Sequence, residues 1–382
     1  MIKNIRNILI ITVFCLSIFL PLAFSDKQGG KISLLENRYL AAFPSLRHAN
    51  GSINSSGIKQ LENWISDNAG GRDISMQIKN LLEYRLFHNF PLKDIVEGKE
   101  NWLYLVPSYG IADCTNSNKP TQSQVEYLQE NFARITSELI ARGVQYTVMI
   151  WPNKCTIYPE YFPNTLTQVN DEPAIVSMDK ALSGNPNFDF QTAYDTLISH
   201  KQERQDYYKA SDYSHWNQYG AFLGYSALME QAKRHLPELK ILTEADFYIL
   251  PTTKYSNFTW GFQTEEQDLT YSLKSGPNAS SDLSFFNTFG FASNDPWKSY
   301  NYYKNIDTTL PKAVIIGDSF TWEFLLPDLA ESFSQLVFLH YADMDYLDPL
   351  VNLINPDIVM MAGLGSGSAY DLLSIHMAIS SN

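Results

Sequence analysis

The spacing of apolar and polar positions changes several times along the chain, and each change predicts an element. Ile8 to Leu20 is an apolar run behind Lys3 and Arg6, followed by Pro21 and Ala23-Phe24-Ser25. A charged start, an apolar middle and a small-x-small tripeptide suit an export signal cut before Asp26, or an uncleaved membrane anchor. Residues 1–25 are assigned to this segment, and the polar, turn-rich residues 26–57 to a linker or arm. Helical spacing follows, with Leu61, Trp64 and Ile65 before Gly70-Gly71 and Ile78, Leu81 and Leu82 after it. Asp94 to Val106 alternates around Gly98-Lys99 and predicts a hairpin. Ser123 and Glu126 form a capping box for a helix whose apolar face is Val125, Leu128, Phe132, Ile135 and Leu139, closed by Gly143.

A strand follows at once, Val144 to Trp151, ending in Pro152-Asn153-Lys154. Gly220 to Leu236 reads as a helix, and Ala313–Ile316, Gln335–Tyr341 and Asp357–Ala362 read as short buried strands. Short apolar strands alternating with helices predict an α/β fold, a largely parallel sheet flanked by helices, within residues 58–382. Residues from about 240 to 310 are rich in aromatics without a clean period. They are expected to form an inserted loop region or small subdomain.

Composition narrows the function classes. The formal charge is −13 over 382 residues, and no basic stripe is present, so nucleic acid is not an expected partner. Cys15 falls in the leader, which leaves Cys114 and Cys155 as a single pair in the exported part and one expected disulfide. Neither Cys-x-x-Cys nor His-x-x-x-His occurs, so no metal and no cofactor are expected.

Candidate chemistry begins at AVIIGDSF, residues 313–320, where an apolar strand stops in Gly317-Asp318-Ser319. Ligands of open α/β sheets gather at the carboxyl ends of strands, where 152–154, 317–319 and Gly363-Leu364-Gly365 should meet. Ser319 is the candidate nucleophile. A serine hydroxyl needs a base, and Asp212 and His215, three apart in SDYSHWNQYG, offer a histidine with its orienting carboxylate. The plainer readings are a helix N-cap at Gly-Asp-Ser and a packed histidine beside Trp216. Negative charge on a tetrahedral intermediate would need N–H donors, for which the Ser319 amide, Gly363, Gly365 and the Asn153 side chain are candidates. Trp216, Tyr213, Trp322 and Trp260 could stack on sugar rings, and Lys154 could meet a sugar or carboxylate; the plainer reading is core filling and a solvated charge.

Gly-Asp-Ser-Phe after a strand resembles the nucleophile block of the SGNH (GDSL-like) hydrolase superfamily, and Asp212-Tyr213-Ser214-His215 resembles its Asp-x-x-His block. Asp and His precede Ser here, and Trp216 follows the histidine, as in the alginate O-acetyltransferase branch. Further likeness lies in Glu36-Asn37-Arg38, Asp67–Arg72, Gly98-Lys99 with Asn101-Trp102-Leu103-Tyr104, Pro152-Asn153-Lys154 and Tyr158-Pro159. The branch usually has Asp-x-His, where Tyr213 stands, and a Glu-Arg pair after the last strand, where Gly363-Leu364-Gly365-Ser366 stands. The resemblance implies a periplasmic O-acetyltransferase, soluble or tethered, acting on an exported polysaccharide. It further implies an acetyl-Ser319 intermediate, acetyl supply through a membrane-bound O-acyltransferase and a place in an export complex. An acetyl esterase would use the same residues, and an inert polysaccharide-binding scaffold would use none of them.

Overall fold

Runs of β-branched, aromatic and other apolar residues with almost no charge build the middle, parallel strands of the central sheet. In the computed structural model its strands are β1 (Gln145–Trp151), β2 (Asp189–Thr192), β3 (Ala279–Ser281), β4 (Asn301–Asn305), β5 (Lys312–Gly317), β6 (Gln335–His340) and β7 (Ile358–Leu364). Their order across the sheet is β2-β1-β7-β5-β6-β4-β3. The first five pair in parallel, whereas β4 runs antiparallel to both β6 and β3. The structure describes residues 2–25, 31–33, 38–48, 51–87, 90, 94–106, 110–256, 264–292 and 300–365.

Alternation along β1 shows why the sheet is covered on both faces. Val148 and Ile150 enter the core that holds Phe132 of helix α1 (Gln122–Ile140), and Met149 and Trp151 enter the core that holds Leu228 of helix α2 (Gln218–Lys233). Period two on the strand therefore sorts side chains between two helical layers. The α/β fold with a largely parallel, helix-flanked sheet is borne out.

Several local expectations shift. Helix α1 is capped two residues earlier than Ser123. Thr121 accepts the Gln124 N–H at 3.3 Å while the Gln124 side chain accepts the Thr121 N–H at 2.9 Å, so the same box pattern closes two residues sooner. The aromatic-rich stretch is more regular than its sequence suggests. It holds a long hairpin, Phe247–Tyr255 against Glu265–Leu273, the helix Ser284–Phe289, and the strands β4 and β3 that end the sheet on one side. Pairing with β6 decides that β4 is a strand, despite its polar sequence Asn-Tyr-Tyr-Lys-Asn.

By contact the chain divides into two units, Met1–Leu92 with Ser256–Thr264, and Lys93–Tyr255 with Glu265–Asn382. The sheet belongs to the second. In the first, one helix spans Ile2–Ala23, and its Ile5–Ala23 portion is long and apolar enough to cross a membrane, longer than the Ile8–Leu20 run alone. Helices Gly57–Asn68 and Arg72–Phe87 follow, separated at the expected glycine pair. Trp64 packs edge-on against Phe43 at 4.9 Å, and Asp67 accepts hydrogen bonds from Arg38 and the Ala41 N–H.

Candidate active site

Strand β5 delivers Ser319 through a turn that tolerates no side chain at its first residue. A Cβ on Gly317 would lie 2.3 Å from the Ala362 carbonyl oxygen and 2.9 Å from Thr321 Oγ1. Asp318 then caps the short helix Ser319–Trp322. Its Oδ1 accepts the Phe320 N–H at 3.0 Å, and its Oδ2 accepts the Leu364 N–H at 2.6 Å. Thr321 Oγ1 donates to the Ala362 carbonyl at 2.7 Å and accepts from Trp151 Nε1 at 3.1 Å. The N-cap reading and the nucleophile reading of Gly-Asp-Ser thus fall on adjacent residues and are compatible.

The segment before α2 brings the histidine to this turn. His215 Nε2 lies 2.8 Å from Ser319 Oγ, and His215 Nδ1 lies 2.9 Å from Asp212 Oδ2. The other carboxylate oxygen accepts the Ser214 and His215 N–H groups at 2.7 and 2.9 Å. Three-residue spacing lets one carboxylate fold its own turn and also hold the ring. Phe320 and Phe324 flank the imidazole at 4.8 and 5.5 Å.

Burial and charge set the protonation of this pair. For His215, burial disfavours the imidazolium, but the Asp212 charge and hydrogen bond, with Glu323 and Asp318 nearby, raise its pKa above the ordinary histidine value. For Asp212, burial disfavours the carboxylate, yet the His215 interactions and two backbone N–H groups hold its pKa well below the usual range. A base of this kind takes a proton readily and keeps its orienting partner ionised.

The other sequence candidates divide. Trp216 is fully buried against Trp151 and Phe320, at 5.0 and 5.2 Å, so it supports the site from the core and offers no face to a sugar. Tyr213 and Trp322 are half-buried. Trp260 lies outside the described residues. Gly365 donates its N–H to the Trp151 carbonyl at 2.8 Å, which commits that group to the sheet and removes it as an oxyanion donor. Gly363 sits inside β7 opposite Ile150. Asn153 Nδ2 donates to Asp113 Oδ2 at 2.8 Å, and burial pushes the Asp113 carboxyl up to about 6 against its bonds to Asn118 and Asn153. Cys114 and Cys155 are joined by a disulfide beside these residues.

Lys154 is not a solvated charge. It is buried under the loop that carries Asp212, where burial pushes its ammonium down to about 7 against the pull of Asp212 and Glu266. Glu266 itself escaped sequence reading. It lies on a solvent-facing strand far along the chain, and only the tertiary fold brings it to residues 209–211. Among the described residues no cluster of three His, Cys, Asp or Glu side chains could hold a metal ion.

A largely parallel sheet with a serine at a strand's carboxyl end, bonded to a histidine held by an aspartate, is an arrangement suited to acyl transfer. Residues 95–273 match the family model ALGX, described as the SGNH hydrolase-like domain of acetyltransferase AlgX. Over those residues the chain is similar to that acetyltransferase domain. That span contains Asp212 and His215 and ends before Ser319.

Solved structures are similar in fold. Bacillus cereus PatB1 is 18% identical, with 73% of this chain and 98% of PatB1 covered at a TM-score of 0.54. A DHHW family protein from Eubacterium siraeum is 13% identical, with 74% and 98% covered at a TM-score of 0.50. The O-acetyltransferase domain of Pseudomonas putida AlgJ is 18% identical, with 73% and 92% covered at a TM-score of 0.45. No curated protein matches the chain by sequence.

Proposed function

We propose that this chain acetylates hydroxyls of an exported polysaccharide through an acetyl-Ser319 intermediate. The observation that carries the reading is the 2.8 Å contact of Ser319 Oγ with His215 Nε2, backed by Asp212 at 2.9 Å. His215 accepts the hydroxyl proton as Oγ attacks the acetyl carbonyl carbon, and returns it to the departing group of the donor. A sugar hydroxyl then gives its proton to His215 and attacks the acetyl carbon. Ser319 Oγ leaves and recovers that proton. Charge on the tetrahedral oxygen is met by the Ser319 backbone N–H, a kind of donor whose loss typically costs about 2.7–4 kcal/mol of barrier.

The AlgX-type domain match supports acetyl transfer, and the apolar N-terminal helix, suited to a signal or an anchor, supports export. In this reading the protein works in the periplasm, soluble or tethered. It receives acetyl groups by way of a membrane-bound O-acyltransferase and serves a polysaccharide export complex.

The test is turnover of a chromogenic acetyl ester with and without oligosaccharide acceptors, following both acetate and acetylated sugar. Acceptor-dependent acetylated sugar, lost in Ser319→Ala, is the expected result. Acetate release indifferent to every acceptor identifies an esterase instead. Absence of turnover, with no effect of Ser319→Ala, identifies a scaffold.

A further inference from the structure

One loop supplies both Asp212 and His215, and two distant parts of the chain grip its backbone with opposite charges. Glu266, on the hairpin strand Glu265–Leu273, takes the donors. Its Oε1 accepts the Lys209 N–H at 2.6 Å, and its Oε2 accepts the Ala210 N–H at 2.8 Å, the Ser211 N–H at 2.6 Å and the Ser211 hydroxyl at 2.6 Å. Lys154, just past the end of β1, takes the acceptors. Its Nζ donates to the Asp212 carbonyl at 2.8 Å and to the Lys209 carbonyl at 3.4 Å. The N–H groups of Leu103 and Leu105 add backbone bonds to the Lys209 and Tyr213 carbonyls, each at 2.9 Å.

Lys154 is only 2% exposed and lies over the rings of Trp102 and Tyr104 at 5.7 and 5.6 Å. Among the described residues no carboxylate stands within ion-pair distance of it. A buried ammonium whose partners are carbonyls and ring faces is costly, and an apolar side chain of the same length would fill the space without that cost. What the ammonium adds is direction: it draws two carbonyls to one point while Glu266 draws three amides to another.

We propose that Lys154 and Glu266 are positioning residues, a two-sided clamp that holds backbone 209–212 so that the Asp212 carboxylate meets His215 Nδ1. The proposal deepens the acyl-transfer reading and rests on it for its consequence in turnover. Because Asp212 also bonds the N–H groups of Ser214 and His215, its carboxylate follows its own backbone. Displacing that backbone by about 1 Å would misplace the base and cost about 10²-fold in rate.

The experiment uses the full chain with Lys154→Met, Glu266→Gln and Ser211→Ala. Three quantities are read: the Nδ1 proton resonance and pH titration of His215 by NMR, the split of kcat from KM for acetyl-ester hydrolysis, and the fold by circular dichroism. Expected are loss of the hydrogen-bonded Nδ1 signal and a fall of the His215 pKa to or below the ordinary ~6.5 in the first two variants. Their kcat falls about 10²-fold with KM unchanged. Ser211→Ala removes a single hydroxyl, shifts the same signals in the same direction by less, and decides the matter if the other two do not fold. Wild-type resonance, titration and kcat in every folded variant overturn the clamp. Ser319→Ala separates the two ideas: if it leaves hydrolysis intact the acyl-transfer reading falls, and the imidazole signal alone judges the clamp.

Discussion

His215 and His235 each hold an aspartate at hydrogen-bond distance, 2.9 Å to Asp212 and 2.7 Å to Asp189, yet they sit at opposite edges of one parallel sheet. Asp189 opens β2 at the amino edge, and Ser319 follows β5 at the carboxyl edge. At the carboxyl edge the second ring nitrogen of His215 meets a hydroxyl, and the Asp212 carboxylate otherwise bonds only N–H groups of its own turn. At the amino edge Asp189 is shared among His235, Arg234 at 2.7 Å and Gln231 at 3.2 Å. His235 meets no serine among the described residues. A cavity of 510 Å³ opens beside that second pair, lined by Tyr146, Phe188, Arg234 and His235 among others. A His–Asp pair alone therefore does not distinguish the proposed catalytic site. What separates the two is a third group aligned on the far nitrogen, and a carboxylate reserved for one partner.

The largest expected effects fall on the first pair only. Ser319→Ala should lower acetyl-ester kcat by about 10⁶-fold, the scale seen when such a nucleophile is removed. Asp212→Asn should lower it by about 10⁴-fold, because the ring then takes the wrong tautomer. Steady-state kinetics on folded protein check both, and a loss under tenfold for Asp212→Asn would erase the contrast with Asp189. The pH profile sharpens the same contrast. The raised pKa of His215 means that hydrolysis falls as pH drops through a point above the ordinary histidine value of ~6.5. In Asp212→Asn that acid limb should move to lower pH. His235→Ala should leave it where it was.

The two edges were unequally legible in the sequence. Strand β5 with Gly-Asp-Ser is a contiguous signal, and Asp-x-x-His is another, so Ser319, His215 and Asp212 could be named before any fold was known. Their three-way geometry depends on groups that carry no local signature. Glu266 is 55 residues from Ser211, and Lys154 looks from sequence like any basic residue after a strand. Trp216 invited a sugar-stacking reading, but a residue beside the histidine can point inward as easily as outward, and only packing against Trp151 decides. Strands β3 and β4 were missed because short polar strands are made by their neighbours and not by their own pattern. The amino-edge pair was missed because Asp189 and His235 are 46 residues apart in chain order and no motif joins them.

The disulfide gives an intermediate effect and tests how far the carboxyl edge depends on its staple. Cys155 follows Lys154 directly, and its bridge to Cys114 closes a span of 41 residues. Loop-closure entropy for that length assigns it about 4 kcal/mol of stability. Cys114→Ser with Cys155→Ser should lower the unfolding free energy by that order in denaturant titration. Folded protein should also show a lower kcat, since the residue next to Lys154 loses its cross-link. An unchanged kcat would mean that the Asp212 loop is held without help from this bridge.

The smallest effect concerns the second pair, and it is the one most able to break the comparison. Burial disfavours the Asp189 carboxylate, but its bonds to His235, Arg234 and Gln231 bring its pKa below the ordinary 3.8. A group depressed in this way contributes stability above its unfolded pKa and loses that contribution as pH falls through the lower folded value. Asp189→Asn should therefore reduce stability at neutral pH by about 1–3 kcal/mol, the scale for leaving partners of a buried charge unmet. It should also flatten the acid side of the stability curve below pH ~4, while acetyl-ester kcat stays within about twofold of wild type because nothing at the amino edge touches the reacting atoms. Denaturant midpoints across acidic pH and parallel kinetics measure both halves. Should Asp189→Asn depress kcat as deeply as Asp212→Asn, the two pairs would be coupled through the sheet, and the alignment of a third group would no longer be what separates them.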